Sequence, residues 1–124
     1  MSKVKVSSTN FANKRALSDE CSEVYAANII GGQWSLAIVS WLINGKLRFG
    51  QLKKLMPGIT ERMLTLQLRK LEENHIVTRT VYAEIPPRVE YELTPIGYDL
   101  KPIIKHLEIW GDKHKNLSAT PTSL

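Results

Sequence analysis

The chain has 124 residues with a hydrophobic fraction of 43%, which is typical of a single globular domain with its own core. No apolar run approaches the roughly 18 residues that a membrane-spanning helix needs, so we expect no membrane span. The net charge of +5 permits a nucleic-acid partner, and the one cysteine, Cys21, excludes an internal disulfide.

The two ends of the chain differ in composition from its middle. Residues 1–17 contain four basic and no acidic residues, which predicts a flexible basic N-terminal arm. A transit peptide is an alternative for this serine-rich segment, but the apolar run of a secretory signal is missing. Residues 116–124 predict a disordered tail, which leaves a folded domain over 18–115. The unpaired cysteine suits a reducing compartment, so we expect a cytoplasmic protein.

Two helices are predicted before the first basic segment. Residues 21–30 carry apolar side chains at helical spacing and are followed by the helix-breaking pair Gly31-Gly32. Residues 33–44 are apolar nearly all round, which is typical of a helix buried at the centre of a small all-α core. Asn44-Gly45 ends this second helix with residues that tolerate a left-handed cap.

A helix-turn-helix is predicted in the middle of the chain. Residues 46–48 form a short extended link that can serve as a minor third strand, and residues 49–56 form a short amphipathic helix. Pro57-Gly58 ends this helix, and another helix begins almost at once. The apolar side of the short helix is expected to carry Phe49, Leu52 and Leu55.

The second helix of this pair, residues 60–74, has the clearest pattern in the sequence. Thr60 can cap its N-terminus, and Ile59 and Leu64 are spaced to close as a hydrophobic staple. An apolar stripe holds the helix to the core, which leaves the opposite side exposed. The stripe is Leu64, Leu68 and Leu71, and the opposite side carries Arg62, Leu66, Arg69 and Glu73, with Thr65 beside them.

After Asn74-His75 the apolar residues change from a helical to an alternating period. Residues 76–82 and 89–93 predict two strands, the second with Glu90 facing outward. A proline-containing loop, residues 83–88, joins them. A β-hairpin placed directly after a recognition-type helix is a wing.

A long last helix is predicted from Thr94-Pro95, a cap and a first-turn proline, to about Lys115. Pro102 should bend it. Its apolar face is larger than a small domain needs, so we expect the terminal helices to form a dimer. The fold class is therefore mostly α with a small β-hairpin, a winged helix-turn-helix that dimerises through its terminal helices.

Positive charge is concentrated around the predicted recognition helix. Residues 46–70 carry a net charge of +6, whereas residues 19–45 carry −3. A charged helix face alone indicates no more than a solvated surface. Together with the capped start and the wing, this local charge favours a helix that enters the major groove of DNA.

Individual DNA contacts can be assigned on this helix. Arg62 and Thr65, near its N-terminus, are candidates for base edges, since arginine to guanine is the commonest specific contact. Arg69 would reach a base or a phosphate, and Leu66 either contacts a thymine methyl or is simply tolerated. Thr60 either caps only or also meets a phosphate at the positive helix end.

Two arginines outside this helix are candidates for the DNA backbone. Arg48 is a phosphate candidate, with solubility as the alternative role. Arg88 at the wing tip has the better position, because wings reach the backbone or the minor groove. Glu84 is an alternative ion-pair partner for it.

Cys21 has two interpretations of equal weight. A helix N-terminus favours a reactive thiol, which would let it sense electrophiles or oxidants. The acidic neighbours Asp19, Glu20 and Glu23 disfavour a thiolate, and an inert packed cysteine is the alternative. The three histidines complete no metal set at a known spacing, and no catalytic motif is present. We therefore expect neither an enzyme, nor a metal, nor a cofactor.

Several of these segments resemble the HxlR family of bacterial winged helix-turn-helix regulators. The resemblance implies a cytoplasmic homodimer that binds an inverted-repeat operator, and a cysteine near the first helix that often senses quinones, aldehydes or oxidants. Gln33 stands where the family usually has Lys, and Leu66 where it usually has a polar residue. The matching segments include Ile30-Gly31-Gly32-Gln33-Trp34, Leu47-Arg48-Phe49, Pro57-Gly58-Ile59-Thr60-Glu61-Arg62-Met63-Leu64-Thr65, Pro86-Pro87-Arg88-Val89-Glu90-Tyr91 and Trp110-Gly111.

The sequence thus predicts a regulator that binds double-stranded DNA at a palindromic operator as a homodimer. A small-molecule effector is compatible with it but not identified. The alternative is a winged-helix protein-interaction module that does not bind DNA, because fold alone does not settle function.

Overall fold

The computed structural model describes residues 20–119, so the predicted N-terminal arm and the last five residues lie outside the described part. The fold is mostly helical with a small antiparallel sheet, as the sequence predicted. The helices are α1 (Ser22–Ile30), α2 (Gln33–Leu42), α3 (Phe49–Leu55), α4 (Glu61–Glu73), α5 (Pro95–Tyr98) and α6 (Leu100–Ala119), and the strands are β1 (Leu47–Arg48), β2 (Val77–Tyr82) and β3 (Arg88–Leu93).

The core lies between α2, α4 and the inner side of the sheet. In α2, Ile38, Val39 and Leu42 have no exposed surface, but Trp41 is 40% exposed, so this central helix is buried on one side and not nearly all round as its composition predicted. The buried side of α4 is its leucine stripe, with Leu64, Leu68 and Leu71 at most 1% exposed. Burying one such side chain contributes about 1.5–3 kcal/mol, so this stripe fixes which face of α4 points outward.

The three strands form a sheet in the order β1-β3-β2, with both pairings antiparallel. β1 pairs through Leu47 with Tyr91 and through Arg48 with Glu90, so the predicted extended link is a third strand. β2 and β3 form the hairpin expected of a wing, in a register that runs from Val77 opposite Leu93 to Tyr82 opposite Arg88.

The short helix α3 buries a different set of side chains from the one predicted. Leu52 is fully buried, but Leu55 is 37% exposed, and Met56 takes the expected place in the core. The helix ends at Leu55, and Met56 has the non-helical angles φ −124° and ψ 74°. Leu55 is thus the last helical residue, and Met56, four residues after Leu52, takes the core position on the side of Leu52.

The predicted last helix is two helices, because the chain turns at Asp99 between α5 and α6. The prediction that Pro102 bends a long helix is therefore wrong. Pro102 lies in the first turn of α6, where a proline removes no helical hydrogen bond. The helix also continues to Ala119, beyond the predicted end near Lys115 and into the segment predicted as a tail.

Candidate DNA-binding surface

Helix α4 is held at both ends by hydrogen bonds to its backbone. At the start, the Thr60 hydroxyl accepts a hydrogen bond from the Met63 N–H at 3.0 Å, as its position predicted. At the end, His75 adopts a left-handed backbone with φ 62°, and the N–H groups of His75 and Ile76 donate to the carbonyls of Glu72 and Leu71. This is a Schellman ending, which satisfies carbonyls that would otherwise lack a partner.

A polar contact also fixes α4 against the central helix. The buried Ser35 hydroxyl of α2 donates to the Gln67 side-chain oxygen of α4 at 3.1 Å. The Gln67 amide in turn approaches the Met63 sulfur at 3.4 Å. The rotation of α4 is therefore determined by this contact as well as by its leucines.

The outward side of α4 brings four predicted DNA-binding residues together. Arg62, Thr65, Leu66 and Arg69 line one shallow depression together with Glu61. Leu66 is 44% exposed although it is apolar. An exposed strip with two arginines, one hydroxyl and one apolar side chain has the groups that major-groove edges require.

The polar side chains of this strip differ in the hydrogen bonds and ion pairs that they form. The Thr65 hydroxyl donates to the Glu61 carbonyl at 2.8 Å, which leaves its oxygen lone pairs and its methyl group for a base. Within residues 20–119, neither Arg62 nor Arg69 forms an ion pair with an acidic side chain. Both guanidinium groups are therefore available to an external anion.

Arg48 and Arg88 lie on the sheet and are not part of the depression on α4. Arg48 precedes α3, and its backbone N–H donates to the Gln51 side chain at 2.8 Å, while its own side chain stays exposed. It is therefore placed as an accessible cation at one edge of the sheet.

Arg88 is held by its own hairpin, in the arrangement that was the alternative to DNA contact. Its guanidinium lies 3.2 Å from the Glu84 carboxylate, 3.8 Å from the Glu90 carboxylate and 4.0 Å from the centre of the Tyr82 ring. Glu90 also lies 3.5 Å from the Lys46 amine. The Glu90 side chain is only 14% exposed and lies between the Arg88 and Lys46 cations. Glu90 was predicted to face outward, but it is not surrounded by solvent there.

The structure adds Arg79, which the sequence analysis did not single out. It lies on β2 opposite the buried Tyr91 and lines a cleft between α4 and the sheet, together with Thr65, Arg69 and Glu72. Arg79 shares a face of β2 with the buried Val77 and with Val81, which is 52% exposed. Only the packing of α4 shows that this face is open at that point.

Cys21 is the residue immediately before α1, with a half-buried free thiol. A hydrogen bond from its own backbone N–H lowers the pKa of the Glu23 carboxyl below its ordinary value, and a hydrogen bond from the Cys21 thiol lowers it further. The thiol thus lies beside a carboxylate.

Helix α6 exposes a large apolar surface. Ile103 and Leu107 are about half exposed, and Trp110 is 64% exposed, with its ring stacked on His114 at a centroid distance of 5.3 Å. A groove of about 740 Å³ lies between α2 and α6 and joins this surface at Leu107. Patches of this kind on a small domain indicate an interaction surface.

Among residues 20–119, no helix combines the length and hydrophobicity that crossing a bilayer requires.

Comparison with known proteins identifies close relatives over most of the chain. The protein is 48% identical over 96 residues to YdeP of Bacillus subtilis (strain 168), described as an uncharacterized HTH-type transcriptional regulator. The aligned region covers 77% of this chain and 75% of YdeP. The oxidized form of the redox regulator HypR is similar in structure, with a TM-score of 0.71 and 44% identity over 75% of this chain and 96% of that one. Diamide-treated YodB from B. subtilis has a TM-score of 0.65 and 33% identity, over 75% of this chain and 93% of that one.

These relatives are regulators and not enzymes, in agreement with the expectation from the sequence. The model of the HxlR-like helix-turn-helix family matches residues 29–119, which include every element from α2 to α6. The chain therefore belongs to the HxlR-like helix-turn-helix family, as its sequence motifs predicted.

Proposed function

We propose that this protein is a transcriptional regulator that binds double-stranded DNA sequence-specifically as a homodimer in the cytoplasm. The observation that carries the proposal is the outward side of α4, where Arg62 and Arg69 lie beside Thr65 and Leu66 and form no ion pair with any acidic residue of 20–119. Arg62 and Thr65 read base edges, Leu66 meets a thymine methyl, and Arg69 reaches a base or a phosphate. Thr60 and Arg48 contact the phosphate backbone at the two sides of this helix.

The dimer follows from the apolar surface of α6. Ile103, Leu107 and Trp110 would be costly to leave in water, and a second copy covers them with a surface of matching chemistry. A two-fold dimer places two α4 helices on one duplex. The operator is then palindromic, with half-sites about 34 Å apart or a small multiple of that distance.

DNA binding can be tested by selecting bound duplexes from a random pool and measuring affinity at several salt concentrations. Log K should fall by about 0.9 for each phosphate contact per tenfold rise in salt. Arg62→Ala should relax base preference at one operator position while the protein stays folded and dimeric. Lys115→Ala, which removes an exposed cation at the far end of α6, is the matched control and should change neither base preference nor folding and dimerisation.

Two results would contradict the proposal. One is unchanged operator binding in both Arg62→Ala and Arg69→Ala. The other is a folded wild-type dimer that selects no sequence and whose DNA affinity does not depend on salt. The first result would show that the base contacts are wrongly assigned to α4, and the second would favour the alternative, a winged helix that binds other proteins.

A response to oxidants through Cys21 is a second proposal, favoured by the half-buried free thiol and by the similarity to HypR and YodB. Because the chain has one cysteine, oxidation joins Cys21 of two subunits or Cys21 and a small thiol. In the first case two thiols lose two electrons and two protons to diamide, which is reduced to its hydrazine, and one S–S bond forms.

The test compares wild type with Cys21→Ser before and after diamide or a quinone. DNA affinity should change only in the wild type, and a non-reducing gel separates a linked dimer from a mixed disulfide. An unchanged wild-type affinity after treatment would exclude a sensor role and leave Cys21 as a packing residue.

A further inference from the structure

The cleft between α4 and the sheet contains a second pair of cationic groups. Arg69 of α4 and Arg79 of β2 line it from opposite sides. Thr65, one helical turn before Arg69, lines it as well. Arg69 also lines the depression on the outer side of α4, so it lies where the two surfaces meet. The cleft is therefore continuous with the surface that we assign to DNA.

The position of Arg79 follows from the register of the hairpin. Arg79 is opposite Tyr91, and the adjacent pair on the same face, Val77 and Leu93, is buried against the core. This face therefore points toward α4, not toward the outer side of the sheet. At Arg79 the core ends, so the guanidinium lies at an open boundary between helix and hairpin.

The cleft has a net positive charge, which one acidic residue partly offsets. Arg69 and Arg79 face one acid, Glu72, and neither arginine is within ion-pair distance of an acidic side chain of residues 20–119. Glu72 therefore leaves both guanidinium groups available while it lowers the local potential. Two arginines from different elements suit a phosphate group, which offers several acceptor oxygens.

The wing tip contrasts with this cleft. Arg88 is compensated by Glu84 and Glu90 and rests on Tyr82, so release to a phosphate would break two ion pairs. Arg79 carries no such cost. The hairpin therefore has one arginine committed to its own structure and one that is not.

We propose that Arg79 and Arg69 together bind a phosphate of the DNA strand that passes between α4 and the hairpin, and that Arg88 instead positions the wing. The inference rests on the proposed function, because the phosphate belongs to the duplex that α4 enters. Arg79 contributes to affinity and register, but it does not read base identity.

The experiment measures DNA affinity against salt for wild type, Arg79→Ala, Arg79→Lys and Arg88→Ala on one selected operator duplex. Arg79→Ala should reduce the slope of log K against log salt by about 1 per subunit, hence about 2 per dimer, without changing base preference. Arg79→Lys should keep the slope because it keeps the charge. Arg88→Ala should keep the slope as well.

Glu72→Gln should change DNA affinity in the direction opposite to Arg79→Ala. Removal of this carboxylate should tighten DNA binding severalfold, because the two arginines then face no acid in the cleft. Thermal unfolding of each variant separates loss of folding from loss of binding.

The outcomes distinguish this inference from the function on which it rests. If wild type binds with a steep salt dependence and Arg79→Ala keeps that slope, the phosphate assignment is wrong and the proposed function stands. A lower slope in Arg88→Ala with an unchanged one in Arg79→Ala would move the contact to the wing tip. If wild type shows no salt-dependent binding at all, the proposed function fails first.

Discussion

At the scale of single residues, the arginines of this protein differ by what surrounds them. Arg62 and Arg69 have no acidic partner within residues 20–119, whereas Arg88 is flanked by Glu84 and Glu90. An arginine with its charge already compensated gains less from a phosphate than a free one, because it must first give up its partners. Charge counted along the sequence therefore overstates what the hairpin can offer to DNA.

The Thr60 cap should have a measurable effect on folding stability. Thr60→Ala removes the acceptor of the Met63 N–H and should lower the free energy of unfolding by about 0.5–2 kcal/mol. Thr60→Ser keeps the hydroxyl and should stay close to wild type. Urea unfolding measures both, and equal stability of the two variants would show that the cap contributes nothing.

Glu90 should be the acidic residue on which the hairpin depends. Glu90→Gln leaves the half-buried Arg88 and the Lys46 amine with one carboxylate fewer, and we expect a loss of about 1–2 kcal/mol. Glu84→Gln is the matched control, since Glu84 is 52% exposed and its pair is screened by water. Chemical denaturation checks both, and a larger loss for Glu84→Gln would contradict this assignment.

At the scale of elements, the short helix α5 joins the sheet to α6 by close backbone packing. The Thr94 hydroxyl accepts from the Gly97 N–H at 3.1 Å and lies 2.6 Å from the His75 carbonyl, to which it donates. A side chain at Gly97 would press on the Ile76 carbonyl and on Leu93. This turn therefore determines where α6 leaves the domain.

Gly97→Ala should accordingly destabilise the protein. Overpacking of this kind costs about 1–3 kcal/mol, and here the obstacle is a backbone carbonyl, which cannot rotate away as a side chain does. Gly50→Ala is the control, because a methyl group at Gly50 of α3 meets open space and should stabilise by about 0.4–1 kcal/mol. Melting temperatures that move in the same direction would contradict this description of the turn.

At the scale of the whole molecule, the proposed function requires two copies of one small domain. A single α4 offers few base contacts, and a dimer doubles them on one duplex. The apolar surface of α6 is the surface that a second copy would cover, because it is exposed in the single chain and continues into the groove beside α2. DNA affinity and dimerisation should therefore be lost together.

Leu107→Asp should yield a folded monomer with weak DNA binding. A charge at this position opposes burial in an apolar interface but costs little in a side chain that is already 46% exposed. Ile85→Asp, at a fully exposed wing position, is the matched control and should remain dimeric. Sedimentation velocity measures the oligomeric state, and a dimeric Leu107→Asp variant would place the interface elsewhere.

Most helices and strands could be predicted because their signals are local. The Thr60 cap, the leucine spacing of α4 and the alternation in β3 depend on residues a few positions apart. The errors fell where the outcome depends on distant partners. Leu55 and Met56 are adjacent apolar residues, so their neighbours in the fold decide which of them enters the core, and the position of α5 depends on the close approach of Gly97 to Ile76 and Leu93.

The candidate site divides in the same way. Arg62, Thr65, Leu66 and Arg69 could be grouped from helical periodicity alone, because one helix carries all four. Arg79 could not be added to them, since its nearness to Arg69 arises only when a strand packs against a helix. The sequence could name Glu84 as a partner of Arg88, but it could not choose between that pair and DNA.

By itself, the sequence determined the family, through the resemblance of its motifs, and it determined the winged helix-turn-helix class and the outward face of α4, because these follow from short-range patterns of polarity and capping. The tertiary structure decided which cations remain free, which acids neutralise the others and which apolar face stays uncovered. These properties depend on distances between elements far apart in the chain. Such distances are set when the core packs, and no local pattern contains them.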